Sequence, residues 1–317
     1  MKAMRFHEYG GPEVLTIEEL DAARLAADES LVEVRASSVN PSDLANLKGA
    51  FGASTPRVPG RDYAGVVSAG SPGWIGKEVW GASPGLGVGT DGGHAEHVIV
   101  KTASLAEKPS EISMEQAATF GIPYLVAWGG LVEAGMIQSG ETVLVTGAAG
   151  AVGEAAIQIA QWKEATVIGV DLAEGPTNAD VYIRSTGQDI SEAVRAATPD
   201  GAGVDLVLDA VGGPMFEPSL LSLRTGGRQI AMAAAGGKRR VNFDLVEFFH
   251  GLRHLIGVDT NGYSAAQNAQ IMGQIAEGVR AGKLRPRPVQ TWTLENGPGA
   301  YKAVAAGGSA SRHIIVP

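Results

Sequence analysis

The stretch VLVTGAAGAVGEAAIQIAQ, residues 143–161, decides the fold. Its opening VLVT is an apolar, β-branched run of the kind that forms a buried strand. Glycines follow at 147, 150 and 153, and then Val152, Ala155, Ala156, Ile159 and Ala160 fall on one face at helical spacing. Strand, tight glycine turn and amphipathic helix, in that order, predict a phosphate cradle, the alternative being a strand-to-helix turn with no ligand. Gly150 lets the backbone approach a pyrophosphate seated on the N–H groups at the helix start, and Gly153 lets the helix lie close to the strand. Ala149, Ala151 and Val152 supply the rest of the cradle's backbone.

Working outward, the chain alternates strands and helices after residue 142. Strands are expected at 142–146, 166–170, 204–209, 226–232 and 254–258, which implies a parallel sheet covered on both faces. Asp171 follows the second strand, about 20 residues on from the glycine fingerprint, where a carboxylate can accept hydrogen bonds from an adenosine ribose. The alternative role for Asp171 is to cap the turn at LAEG. Residues 1–110 read differently, as short strands bounded by glycine and proline, and predict a barrel-like first domain. One helical turn interrupts them at VNPSDLANLKG, with Asn40 as N-cap, Pro41 at the first helical position and Gly49 as the stop. SMEQ, 113–116, is a capping box opening a helix. Strand, helix and strand at the C-terminal end are expected to return to the first domain. The predicted organisation is therefore 1–118 plus 285–317 as one domain and 119–284 as the other.

The 317 residues carry a formal charge of −9, which argues against nucleic acid or an anionic membrane surface as partner. The absence of cysteine excludes disulfides, thiol nucleophiles and thiolate metal sites. The N-terminal residues lack the apolar core of a signal peptide, and QAATFGIPYLVAWGGLV (116–132) is broken by proline and glycine, so a buried helix-turn segment is expected there rather than a membrane span. A soluble, cytoplasmic protein is the expectation.

In order along the chain, VNPSD, PGRDYAGVV, GGHAEHVIV, GIPYLVAW, VLVTGAAGAVG, VLDAVGG and GGRQIAM resemble the medium-chain dehydrogenase/reductase superfamily, in particular its zinc-independent quinone oxidoreductase branch. The resemblance implies an α/β protein with a GroES-like β-barrel domain and a doubly wound Rossmann domain, and an active site in the cleft between them. It also implies a nicotinamide cofactor, NADH or NADPH, a small-molecule acceptor, and a homo-oligomer, dimer or tetramer. Val126, Val211, Gly212, Ala233 and Ala234 are the further positions expected beside the cofactor. Asn40 and Asp43 are expected to position substrate or cofactor, or else to cap their short helix.

Departures from the family narrow the chemistry. Where zinc-dependent relatives carry GHE, this chain has Gly60, Arg61 and Asp62, and arginine, always protonated, cannot ligate zinc. His94 and His97 fall on opposite faces if they share a strand, and Gly251 interrupts any helical face joining His250 to His254; no zinc site is expected. Without that Lewis acid, the remaining reaction is hydride donation to a quinone or to the β-carbon of an enone or alkenal. A related branch reduces enoyl thioesters and uses a tyrosine where this chain has Phe51, which weakens that alternative unless Tyr63 or Tyr124 substitutes. Ala45 and Val126 replace residues that carry hydroxyls in relatives, leaving a less polar site. In most NADPH-binding relatives serines and a lysine follow the second Rossmann strand and a tyrosine stands on the next. Here the slot reads DLAEGPTNADVYIRS, too short for a helix, with Ser185 at the tyrosine position and Arg184 as the nearby cation; the residues favour NADH. A non-catalytic nucleotide-binding protein of the same fold is the third possibility.

Overall fold

The computed structural model describes residues 1–21, 24–174, 177–187, 189–234 and 238–317. They form two compact units, Met1–Ile122 with Asn261–Pro317, and Pro123–Thr260.

In the first unit, β1 (Lys2–Phe6) and β2 (Leu15–Glu19) make an antiparallel ribbon. The main sheet is built on β3 (Glu29–Ser38), which pairs antiparallel with β4 (Tyr63–Ala69) and β6 (His97–Lys101). Strands β5 (Glu78–Gly81) and β7 (Ala106–Glu107) extend it beyond β4. Alternate residues of β3, Val32, Val34 and Ala36, are buried, and the two valines join a core with Tyr63, Val67, Val79, Val98 and Val100; period-two alternation is what a half-buried strand requires. Helix α1 (Pro41–Leu47) begins after Asn40, as its proline predicts. Helix α2 (Met114–Ala117) opens on the Ser113–Gln116 capping box; α3 (Gly121–Trp128) then carries the chain into the second unit at Pro123 and continues into a π-helical stretch, Gly129–Ala134.

The second unit is a six-stranded sheet, parallel throughout. Its strands are β8 (Thr142–Thr146), β9 (Thr166–Asp171), β10 (Val181–Arg184), β11 (Val204–Asp209), β12 (Leu223–Ala231) and β13 (His254–Gly257), in spatial order β10-β9-β8-β11-β12-β13. All five residues of β8 are buried, and a fully buried valine or leucine contributes about 1.5–3 kcal/mol. The connecting helices are α4 (Ala151–Trp162), α5 (Ser191–Ala196), α6 (Phe216–Leu221) and α7 (Leu245–His250). Strand order reverses between β8 and β11, and in open α/β sheets ligands bind beyond the carboxyl ends of the strands at such a point. Between β9 and β10 no helix occurs among the described residues.

The chain then returns to the first unit through α8 (Ala265–Arg280), β14 (Val289–Thr293), α9 (Gly297–Ala306) and β15 (Arg312–Val316). Strand β15 closes the main sheet by pairing antiparallel with β3 and parallel with β14. The return starts at Asn261, earlier than the expected 285, because α8 packs on β5 and β7. Its buried stripe includes Ile271, Met272 and Ile275, and Asn268 donates to the Ala82 carbonyl at 3.5 Å. No helix among the described residues is long and apolar enough to cross a membrane.

Candidate functional site

The glycine turn joins β8 to α4 with its three glycines in three different roles. Gly147 has φ of 65°, a left-handed conformation that glycine adopts without strain. At Gly153 a Cβ would fall on the Gly147 carbonyl oxygen and 2.8 Å from Ala148 Cα, so this glycine is required for close helix–strand packing. Gly150, the exposed N-cap of α4, meets only the Gly147 oxygen, 3.1 Å from an added Cβ. Its outer side is open. The N–H groups of a helix's first turn, here Ala151, Val152 and Gly153, have no intrahelical acceptor. An open approach over such N–H groups suits a phosphate.

Asp171 is tied to this turn. Its Oδ2 accepts the Ala149 N–H at 2.9 Å and its Oδ1 the Ala173 N–H at 3.1 Å. At this end of the sheet the exposed Arg184 pairs with Glu174 at 2.9 Å. The Tyr182 hydroxyl donates to the Ala173 carbonyl at 2.7 Å, and burial with the Asp171 charge raises its pKa. Ser185 is buried and its N–H donates to the Asp171 carbonyl at 2.8 Å.

On the other side of β8, the loop after β11 carries Val211 and Gly212. Gly212 has φ of 66°, and a Cβ there would collide with the Ala233 carbonyl and come within 3.2 Å of Ala234 Cα. A Cβ on Gly147 would in turn lie 3.1 Å from Val211 Cγ2. Ala149–Gly153, Asp171, Val211, Gly212, Ala233 and Ala234 are thus gathered along the carboxyl ends of β9, β8, β11 and β12. Val126 lies apart on α3 and is half-buried.

Asn40 and Asp43 occupy a buried polar cluster in the first unit. Asp62 accepts hydrogen bonds from Ser38 Oγ at 2.5 Å, Asn40 Nδ2 at 2.6 Å and the Ile122 N–H at 2.5 Å. Arg312 Nη2 donates to Asn40 Oδ1 at 2.6 Å and to Ser38 Oγ at 3.1 Å. The Asp43 carboxylate accepts the Asn40 N–H at 2.8 Å. Burial raises the pKa of Asp62, against the pull of its donors. It raises Asp43 to about 7, again against the Asn40 hydrogen bond and with the neighbouring Asp62 charge adding to the rise. His94 is buried, which lowers its pKa to about 4. Its Nε2 faces the Ser38 carbonyl at 3.2 Å and its Nδ1 the Tyr301 hydroxyl at 2.9 Å. A carbonyl only accepts, so the neutral ring carries its proton on Nε2 and Tyr301 donates to Nδ1.

The residues weighed as zinc ligands are dispersed. Arg61 donates to Asn261 Oδ1 at 2.5 Å, with its guanidinium 5.3 Å from the Phe51 ring centre. His94 precedes β6 while His97 begins it; His250 ends α7 while His254 begins β13. Among the described residues no three His, Asp or Glu side chains are grouped to hold a metal. Tyr63 is fully buried in the core, and burial raises its pKa further.

An open parallel α/β sheet with a glycine turn where its strand order reverses, in one chain with a mainly antiparallel sheet, is a frame suited to binding a dinucleotide. Residues 26–110 match the alcohol dehydrogenase GroES-like domain and residues 151–275 the zinc-binding dehydrogenase domain. A zinc-type alcohol dehydrogenase-like protein of Schizosaccharomyces pombe is 32% identical over 291 residues, covering 90% of this chain and 87% of that protein. Human quinone oxidoreductase is 26% identical over 330 residues, covering all of this chain and 97% of the relative. The crystal structure of a Pseudomonas syringae quinone oxidoreductase superposes with a TM-score of 0.88 at 25% identity, covering 100% of this chain and 99% of that one. The chain belongs to the medium-chain dehydrogenase/reductase superfamily, in its quinone oxidoreductase-like branch, and is an NAD(P)-dependent oxidoreductase.

Two features were not foreseen from sequence. Arg312 has no local signal, since its partners lie 272 and 274 residues away. Asp209 stood inside the quoted VLDAVGG, and an aspartate just ahead of a glycine pair is a sign of side-chain to backbone bonding.

Proposed function

We propose that this protein transfers a hydride from NADH, in preference to NADPH, to a quinone or to the β-carbon of an enone or alkenal. The observation that carries the cofactor preference is the placement of Asp171, bonded to the glycine turn through Ala149. An ionised carboxylate has about four acceptor sites; Ala149 and Ala173 use two, which leaves capacity for ribose hydroxyls, whereas a 2′-phosphate would face like charge. Arg184, the residue best placed to offset that charge, is already paired with Glu174.

The bound nicotinamide supplies the hydride; the chain's residues bind and orient. In this reading Gly150, Ala151, Val152 and Gly153 present N–H groups to the diphosphate and Ala149 sits beside the adenosine. Val211, Gly212, Ala233, Ala234 and Val126 form the wall around the nicotinamide with small or apolar side chains, which exclude water from the transfer. Asn40 and Asp43 hold α1 and the Asp62–Arg312 cluster in place within the first unit. Five exposed apolar side chains, Leu245, Val246, Phe249, Leu252 and Leu255, crowd the edge formed by α7 and β13, and among the described residues β13 pairs on one side only. An unpaired apolar edge is a surface that self-association would cover, in keeping with a homo-oligomer. The test is a steady-state comparison of NADH and NADPH on a panel of quinones and enones. Asp171→Ser should narrow or reverse an NADH preference, and turnover with neither cofactor would refute the assignment.

A second reading, reduction of an enoyl thioester, is favoured by Lys238, Arg239 and Arg240. These consecutive exposed cations follow Ala234 by a few residues and could meet a thioester carrier's phosphate. A higher kcat/KM for an enoyl-CoA than for the free enone, lost on changing all three to glutamine, would establish it.

A further inference from the structure

Asp209 ends β11 in register with Thr146 of β8 on one side and Ala231 of β12 on the other. Its side chain is fully buried, and one oxygen, Oδ1, takes three donors: Thr146 Oγ1 at 2.6 Å, the Gly212 N–H at 2.8 Å and the Val211 N–H at 3.1 Å. Thr146 is the last residue before the glycine turn, while Val211 and Gly212 are the loop that lies against Ala233 and Ala234. A single atom therefore joins the two loops that leave the sheet where its strand order reverses.

We propose that Asp209 is a positioning residue for the cofactor, fixing the Val211–Gly212 loop relative to the glycine turn so that the diphosphate and the nicotinamide half are held in one register. This rests on the cofactor reading above. Asp171 marks the adenosine side at β9, so the nicotinamide half extends across β8 toward β11 and β12, the side Asp209 governs. Loss of the junction should therefore weaken binding of the whole dinucleotide while sparing a ligand confined to the adenosine side.

The test uses the full-length protein and two ligands, NADH and 5′-AMP, titrated by calorimetry. Thr146→Val removes one donor at nearly constant volume, and Asp209→Asn keeps an acceptor oxygen but removes the charge that makes these bonds strong. Each should raise the NADH dissociation constant about tenfold, the scale of one charge-assisted hydrogen bond, and the AMP constant less than about twofold. The double variant should be no weaker than Asp209→Asn alone. Equal losses for AMP and NADH would reduce Asp209 to a fold-stabilising residue, and unchanged NADH binding in Thr146→Val would remove the coupling; either overturns the proposal. Gly150→Val separates the two levels of the argument. If it leaves NADH binding intact, the cofactor reading itself falls, whatever the Asp209 variants do.

Discussion

Replacing Asp43 with asparagine should change how stability depends on pH, in a way the structure makes quantitative. Asp43 is fully buried, and its carboxyl is raised from 3.8 to about 7. Asp62 adds to the rise while the Asn40 N–H, Arg61 and Arg312 oppose it. A raised carboxyl binds its proton more tightly in the folded chain than in the unfolded one. Its contribution is therefore fully present below pH 3.8, falls as pH rises, and is gone above about 7. At about 1.36 kcal/mol per tenfold in proton affinity, the loss across that window is about 4 kcal/mol. Asparagine has no such titration and can still accept the Asn40 N–H. Chemical denaturation of both proteins at intervals from pH 4 to 8 should show the stability of Asp43→Asn minus that of the parent climbing by about 4 kcal/mol and levelling off above pH 7. A difference that stays flat would mean Asp43 ionises normally, and the account of the buried cluster would be wrong.

His94 should give the opposite profile. Its pKa is lowered from 6.5 to about 4, so its contribution is present above pH 6.5 and lost as pH falls through 4. In His94→Gln the stability difference from the parent should rise by about 3 kcal/mol as pH drops across that range, again read by denaturation. The glycines of the turn should separate by role. Gly153→Ala places a Cβ on backbone atoms and should cost about 1–3 kcal/mol or more in urea unfolding. Gly150→Ala, in an extended conformation with open space outside, should stay within about 0.5–1 kcal/mol of the parent yet weaken NADH binding. Comparable stability losses in the two would contradict the roles assigned to them.

The parts of the fold most legible in the sequence were those buried on both faces. TVLVT and VDLVLD, expected at 142–146 and 204–209, are β8 and β11 to the residue, because short runs rich in valine and leucine bounded by glycine favour buried strands. Strand β12 begins at Leu223, three residues before the expected 226. Gly226 there has φ of 77°, and its N–H bonds to the Gly251 carbonyl at 2.8 Å, a pairing that disguises a strand as a turn. The glycine turn was readable because strand, turn and helix are contiguous. The Asp62 cluster was not: it joins residues 38, 40, 62, 122 and 312, and no local pattern announces an arginine whose function is fixed by strands from opposite ends of the chain. Asp171 could be placed from sequence, but its bond to Ala149 and the Glu174 partner of Arg184 needed side-chain geometry.

The central claim is that Gly147–Gly153 and Asp171 hold a nicotinamide dinucleotide and prefer NADH. The most direct measurement is a parallel titration of the parent, Gly150→Val and Asp171→Ser with NADH and NADPH, followed by tryptophan emission; Trp128 and Trp162, ring centres 5.8 Å apart, belong to the same unit as the turn. The account predicts tighter NADH binding by the parent, loss of both cofactors in Gly150→Val and a shift toward NADPH in Asp171→Ser. Tighter NADPH binding by the parent, or undiminished binding by Gly150→Val, would contradict it.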